Sequence, residues 1–200
     1  MTRDEAKELI RGAILDESGD RMVGTAWGDF GAGSGTFTFA LAELLGPDGR
    51  IVAVDRELAA VDALRRGLRG PTGEDAADGE GRPGSDAARV LPVRGDFRDP
   101  TAIRELRYTA LDGALFGNAL HFDPDPGSTL RRVADGLTAD GRLVVIEYQD
   151  RPPNPWVPHP LPLARLEDVA AAEGLGAPTM VGEQPSSYGG TLYCAWLEVS

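Results

Sequence analysis

Five short, largely apolar runs alternate with helical segments along this chain, and no other feature narrows its fold so far. The runs are Thr25–Phe30, Ile51–Val54, Val90–Val93, Leu111–Phe116 and Leu143–Ile146. Runs of this length that are apolar without alternation are the pattern of strands covered on both faces. Between them the period is helical. Phe37, Leu41, Leu44 and Leu45 share one face of a segment that Gly46-Pro47-Asp48-Gly49 stops, and Leu58, Val61, Leu64 and Leu68 share a face of a second, over Arg56–Arg69. Asp99-Pro100 opens a short helix; Leu130, Val133 and Leu137 mark another, ended by Ala139-Asp140-Gly141. Strand and helix alternating five times predicts a doubly wound α/β domain with a parallel sheet. A helix around Leu163–Glu173 follows. Beyond it, Thr179–Gln184 and Thr191–Val199 flank the turn Pro185-Ser186-Ser187-Tyr188-Gly189-Gly190, so the sheet is expected to finish on an antiparallel hairpin.

Two hundred residues fit one domain, read as spanning 1–200. Inside it, residues 70–89 (GPTGEDAADGEGRPGSDAAR) hold no Leu, Ile, Val, Met or aromatic residue and little to offset the entropy of ordering. The expectation is a flexible, acidic, Gly/Pro-rich surface loop. Twenty basic against 32 acidic residues leave a net charge of −12, which opposes binding to nucleic acid or to an anionic membrane. One cysteine excludes an internal disulfide, and two histidines with one thiol exclude a closed Cys/His zinc site; no metal is expected. The first twenty residues mix charge with apolar side chains and lack a secretory apolar core, which reads as a cytoplasmic protein.

The chemistry gathers at the first strand's end. Asp29 precedes Gly31, Gly33 and Gly35 in the order D-x-G-x-G-x-G, at the start of a helix whose first N–H groups lack partners. A dinucleotide site needs G-x-G-x-x-G, and here position 36 is Thr36. Bare amides beside a carboxylate suit a ligand with both a carboxylate and an ammonium, an amino-acid moiety. Asp55 ends the second strand where an acid can accept two ribose hydroxyls. Asp96 and Phe97 close the third, offering an acceptor and an apolar face to an adenine. Taken singly, Asp29 and Asp96 read as turn caps and Phe97 as core. Their joint placement at strand ends points instead to one ligand, S-adenosyl-L-methionine.

The stretches that carry this pattern are WGDFGAGSGTFTFALAELLGPDGRIVAVDRE, GDF at Gly95 to Phe97, LDGALFGNALHF and ADGRLVVIEY. Together, over roughly Thr25 to Ser200, they resemble the class I S-adenosylmethionine-dependent methyltransferases. The resemblance implies a Rossmann-like, mostly parallel, seven-stranded sheet with an antiparallel C-terminal hairpin. It also implies an enzyme that transfers a methyl group to a small-molecule acceptor. The acidic 70–89 loop is not a family requirement, and the region before Thr25 offers little material for a cap over a substrate.

Ligands of open α/β sheets lie over the strands' carboxyl ends, which places Asn118 and His121, then Tyr148, beside the transferable methyl. The proline-rich Arg151–Pro160 stretch reads as a stiff wall carrying Trp156, with Tyr188 approaching from the hairpin turn. His121 is the candidate general base, because an imidazole titrates near neutrality; its bland reading is a loop anchor. His159 is a weaker candidate, and an N/D-P-P-Y signature is missing at Asn118. Two other readings stay open: a non-catalytic cofactor-binding or partner-binding domain of this fold, and an NAD(P)-dependent oxidoreductase, which the glycine spacing disfavours. Nothing in the residues assigns the acceptor or an oligomeric state.

Overall fold

The computed structural model describes residues 1–22, 24–68, 81–99 and 110–199. The five apolar runs form the parallel strands β1 (Ala26–Phe30), β2 (Arg50–Asp55), β3 (Arg89–Arg94), β4 (Leu111–Gly117) and β5 (Leu137–Tyr148). The expected hairpin is β6 (Thr179–Pro185) with β7 (Thr191–Glu198), and β7 inserts antiparallel between β5 and β6. The sheet order is β3-β2-β1-β4-β5-β7-β6. This is the Rossmann-like, mostly parallel, seven-stranded sheet expected from the sequence. Its order reverses between β1 and β4, and the crevice above their carboxyl ends is where open α/β sheets bind ligands.

Helices α1 (Arg3–Ile14), α2 (Thr36–Leu45), α3 (Leu58–Leu68), α4 (Pro126–Ala134) and α5 (Leu163–Ala172) cover the sheet. Strand side chains alternate between two apolar layers. Leu115 and Val144 pack under α1 and α2; their neighbours Phe116 and Val145 pack with Leu130 of α4 and Leu166 of α5. All five residues of β1 are buried, as a central strand covered on both faces requires. No helix among the described residues is long and apolar enough to cross a membrane.

Three local expectations change. The first residues, read only as lacking a signal, form α1. Thr2 caps it: Glu5 N–H donates to Thr2 Oγ1 at 3.2 Å and Thr2 N–H to Glu5 Oε2 at 2.7 Å, a reciprocal capping box. Ala6, Leu9, Ile10, Ala13 and Ile14 are buried beneath it. Leu137 belongs to β5, where it pairs with Leu111, and not to the preceding helix. That helix ends at Ala134, and the strand begins in phase with the helical period. The expected 70–89 loop lies, for 70–80, outside the described residues. Its remainder is docked: Arg82 donates to the carbonyls of Pro47 at 3.0 Å and Ala87 at 2.6 Å, Ala88 N–H donates to Ala42, and Ala87 and Ala88 are buried. Alanine brings enough apolar surface to dock a segment that otherwise has none. The short helix expected after Asp99-Pro100 falls on 100–109, outside the described residues.

Candidate cofactor and acceptor site

The glycine turn after β1 does three separate jobs. All three glycines have left-handed backbone, with φ of +84° at Gly31, +55° at Gly33 and +96° at Gly35. A Cβ on Gly31 would stand 2.5 Å from Ala119 Cβ, and one on Gly35 would stand 2.6 Å from Leu64 Cδ2. Those two positions let β4's loop and α3 close on the turn. Gly33 differs, because a Cβ there would meet no atom within 4 Å. Its N–H donates to Asp55 Oδ2 at 2.8 Å, and Glu57 N–H donates to Asp55 Oδ1 at 2.9 Å. Asp55 therefore ties the turn of β2 to that of β1 while keeping free lone pairs. The N-terminus of α2 has no side-chain cap, so its first amides are open.

A cavity of about 890 Å³ runs from this turn across the carboxyl ends of β1 to β5. Gly31, Gly33, Asp55, Asp96 and Phe97 line one end; Asn118, His121, Tyr148, Trp156 and Tyr188 line the other. Thus ten of the twelve residues assigned to the site from the sequence, the weaker candidate His159 aside, share one cavity wall. The other two, Asp29 and Gly35, lie behind it. Asp29 is 1% exposed and accepts the Thr38 hydroxyl at 2.5 Å, bracing the first turns of α2. Burial, helped by the nearby Asp55 charge and opposed by the Thr38 hydroxyl, pushes its pKa up to about 7.

Asp96 is held by Arg98, whose Nη2 reaches Oδ2 at 2.5 Å and whose Nε reaches Oδ1 at 2.9 Å. This pairing keeps its carboxyl below the usual range. Phe97 stands edge-on to Phe116, with ring centroids 5.7 Å apart.

At the other end, Asn118 N–H donates to Ile146 O at 2.8 Å, stitching the β4 loop to β5. Asn118 adopts φ +54°, a conformation asparagine tolerates better than most residues, and its buried Oδ1 has no hydrogen-bond partner. A single 3-10 turn, Leu120–Phe122, then folds His121 back over β5. Glu147, fully buried in β5, accepts His121 Nδ1 at 2.7 Å through Oε2 and the His121 backbone N–H at 3.1 Å through Oε1. Both carboxylate oxygens thus fix one residue. A carboxylate acceptor puts the ring proton on Nδ1 and leaves Nε2 as the free position. His159 donates its backbone N–H to the His121 carbonyl at 3.0 Å and serves as a strut.

The sequence reading missed Thr38, Arg98 and Arg151. Arg98 is two residues beyond Asp96, and Arg151 opens the proline-rich stretch; a search for cations flanking the chosen acids and aromatics would have found both. Thr38 is one helical turn into α2, and nothing in its spacing from Asp29 announces the contact.

No protein-family model matches this sequence, and no curated protein matches it. Solved structures match its fold. The mitomycin 7-O-methyltransferase MmcR is 21% identical with a TM-score of 0.62, the match covering 98% of this chain and 53% of that one. The magnesium protoporphyrin IX methyltransferase of Synechocystis PCC 6803, solved with bound S-adenosylhomocysteine, is 12% identical with a TM-score of 0.64, covering 99% and 82%. The CcbJ methyltransferase of Streptomyces caelestis is 13% identical with a TM-score of 0.62, covering 99% and 96%. This chain spans about half the length of MmcR. The protein has the fold of the class I S-adenosylmethionine-dependent methyltransferases.

Proposed function

We propose that this protein is an S-adenosylmethionine-dependent methyltransferase acting on a small-molecule acceptor. The observation that carries the reading is the single cavity joining the glycine turn, Asp55, Asp96 and Phe97 to Asn118, His121 and Tyr148. The residues present fit the cofactor. Gly33 leaves open space, the uncapped start of α2 suits a carboxylate, and Asp55 retains lone pairs for ribose hydroxyls. Asp96 and Phe97 offer an acceptor and a ring to the adenine. At about 890 Å³ the cavity stands near the upper end of the roughly 300–1,000 Å³ usual for ligand sites, room for cofactor and acceptor together.

The bound sulfonium supplies an electrophilic methyl group for in-line displacement. The chain's own contribution is positioning and proton removal. Asn118 Oδ1 accepts a hydrogen from the acceptor, which supplies the partner it lacks. His121 Nε2 takes the proton of an attacking hydroxyl, while Glu147 holds the ring in position through Nδ1 and the backbone N–H. A net charge of −12 supports a small acceptor over nucleic acid.

Calorimetric titration with S-adenosylmethionine, S-adenosylhomocysteine and NAD tests the reading. Both adenosyl compounds are expected to bind and NAD is not. At 100-fold excess over Kd the stabilisation is about 2.7 kcal/mol, a rise of roughly 5–10 °C in Tm. NAD binding without adenosyl binding would overturn the assignment.

A further inference from the structure

Three arginines line the cavity, and they are not equivalent. Arg56 pairs with Glu57 at 3.2 Å and Arg98 with Asp96 at 2.5 Å. Arg151 makes no ion pair and no hydrogen bond among the described residues. Among the described residues it sits against a ring instead: the guanidinium carbon stands 4.5 Å from the centroid of Tyr148. In a chain with 32 acids this is no shortage of carboxylates. The adjacent Asp150 turns one oxygen to the hairpin, its Oδ1 accepting Thr191 N–H at 2.8 Å, and makes no ion pair with Arg151 among the described residues.

The surroundings hold that guanidinium in place. Tyr148 is 6% exposed, and its hydroxyl lies 3.4 Å from Ser186 Oγ. The hairpin turn passes beside Arg151 on glycine: a Cβ at Gly190 would stand 3.3 Å from Arg151 Cγ. A planar guanidinium seated on a ring keeps its N–H edge available for a planar anion.

Two exposed aromatics stand at the same end of the cavity. Trp156 and Tyr188 are each 79% exposed, and both line it. Trp156 is not adventitiously outward. Val157 N–H donates to Asn154 O at 3.1 Å, closing a tight turn with Pro155 at its second position, and Asn154 Oδ1 accepts Trp156 N–H at 2.9 Å. Val157, 1% exposed, anchors the turn from below. Rigidly presented rings at a cavity mouth are contact surface for a ligand.

We propose that Arg151 is the anion-recognising residue of the acceptor subsite. The acceptor is then a small aromatic carboxylate, its carboxylate on the Arg151 guanidinium and its ring against Trp156 and Tyr188. This rests on the methyltransferase reading of the cavity. Position separates the subsite from the cofactor's own carboxylate: Arg151 follows β5, two strands from β1 and its glycine turn, about 10 Å across the sheet.

The probes are benzoate and its neutral isostere benzamide, titrated calorimetrically into protein saturated with S-adenosylhomocysteine. Benzoate is expected to bind at least about tenfold more tightly than benzamide. Arg151→Gln is expected to abolish that difference and leave S-adenosylhomocysteine affinity within about twofold. Arg151→Lys, which keeps the charge and loses the fork, is expected to recover part of it. Absence of saturable benzoate binding, equal affinity for the two probes, or an unchanged difference in Arg151→Gln overturns the proposal. So does loss of S-adenosylhomocysteine binding in Arg151→Gln, which would place Arg151 on the cofactor. Failure of the wild-type protein to bind S-adenosylhomocysteine is a separate result, and it overturns the methyltransferase reading itself.

Discussion

At the scale of single residues, the three glycines of one motif should separate under substitution. Gly33→Ala adds a methyl group in open space and bears only the left-handed backbone, so it should cost about 1–2 kcal/mol of stability. Its Cβ enters the space assigned to the cofactor, so S-adenosylhomocysteine binding should fall at least tenfold. Gly35→Ala meets Leu64 and Phe39 as well as the left-handed cost, so it should lose about 2–4 kcal/mol in denaturant titrations. Asp29 carries the pH prediction. Its folded pKa of about 7 lies above the ordinary aspartate value near 3.9, so the folded state holds the proton more tightly. Stability is therefore lost as pH rises from about 4 to 7, by roughly 4 kcal/mol for a shift of about three units. Asp29→Asn should remove this slope, gaining on the wild type between pH 5 and pH 8 in chemical denaturation; parallel curves would show that Asp29 ionises freely. The spacing of Asp29, Asp55 and Asp96 was legible because strand ends are legible. Which acid lines the cavity and which braces a helix was not, because that depends on where Thr38 and Arg98 point.

Among the elements, the parallel strands were read within a residue or two because burial on both faces writes a largely apolar run. The start of β5 and helix α1 were not. Leu137 satisfies the helical spacing from Leu130 and Val133, and only its pairing with Leu111 settles its state. Helix α1 did have a signal, Thr2-x-x-Glu5 ahead of Ala6, Leu9, Ile10, Ala13 and Ile14, which is a capping box followed by a helical stripe. The test of that cap is Thr2→Ala, which should cost about 1 kcal/mol and lower Tm by a few degrees. The hairpin does more than finish the sheet. Its turn carries Ser186 and Tyr188 to the cavity rim, while β7 pairs with β5 along Arg142 to Tyr148 and so fixes the strand that holds Glu147 and Tyr148.

For the molecule as a whole, the net charge of −12 says little about the site, where three arginines line the cavity and one of them has no ion pair among the described residues. The fold was legible from alternation alone because α/β order is written into consecutive segments. The division of the cavity into two ends was legible only in part, because it depends on side chains that meet across β4, β5 and the hairpin. Helix α1 lies against α2, β6 and β7, with Gly12 close to Val181 and Gly182 close to Leu9. A helix at one end of the described fold therefore rests on two strands more than 160 residues away along the chain. Without those strands its buried stripe has only part of its seat, so the layer under α1 closes only when the hairpin docks, and the hairpin acts as the clasp that completes it.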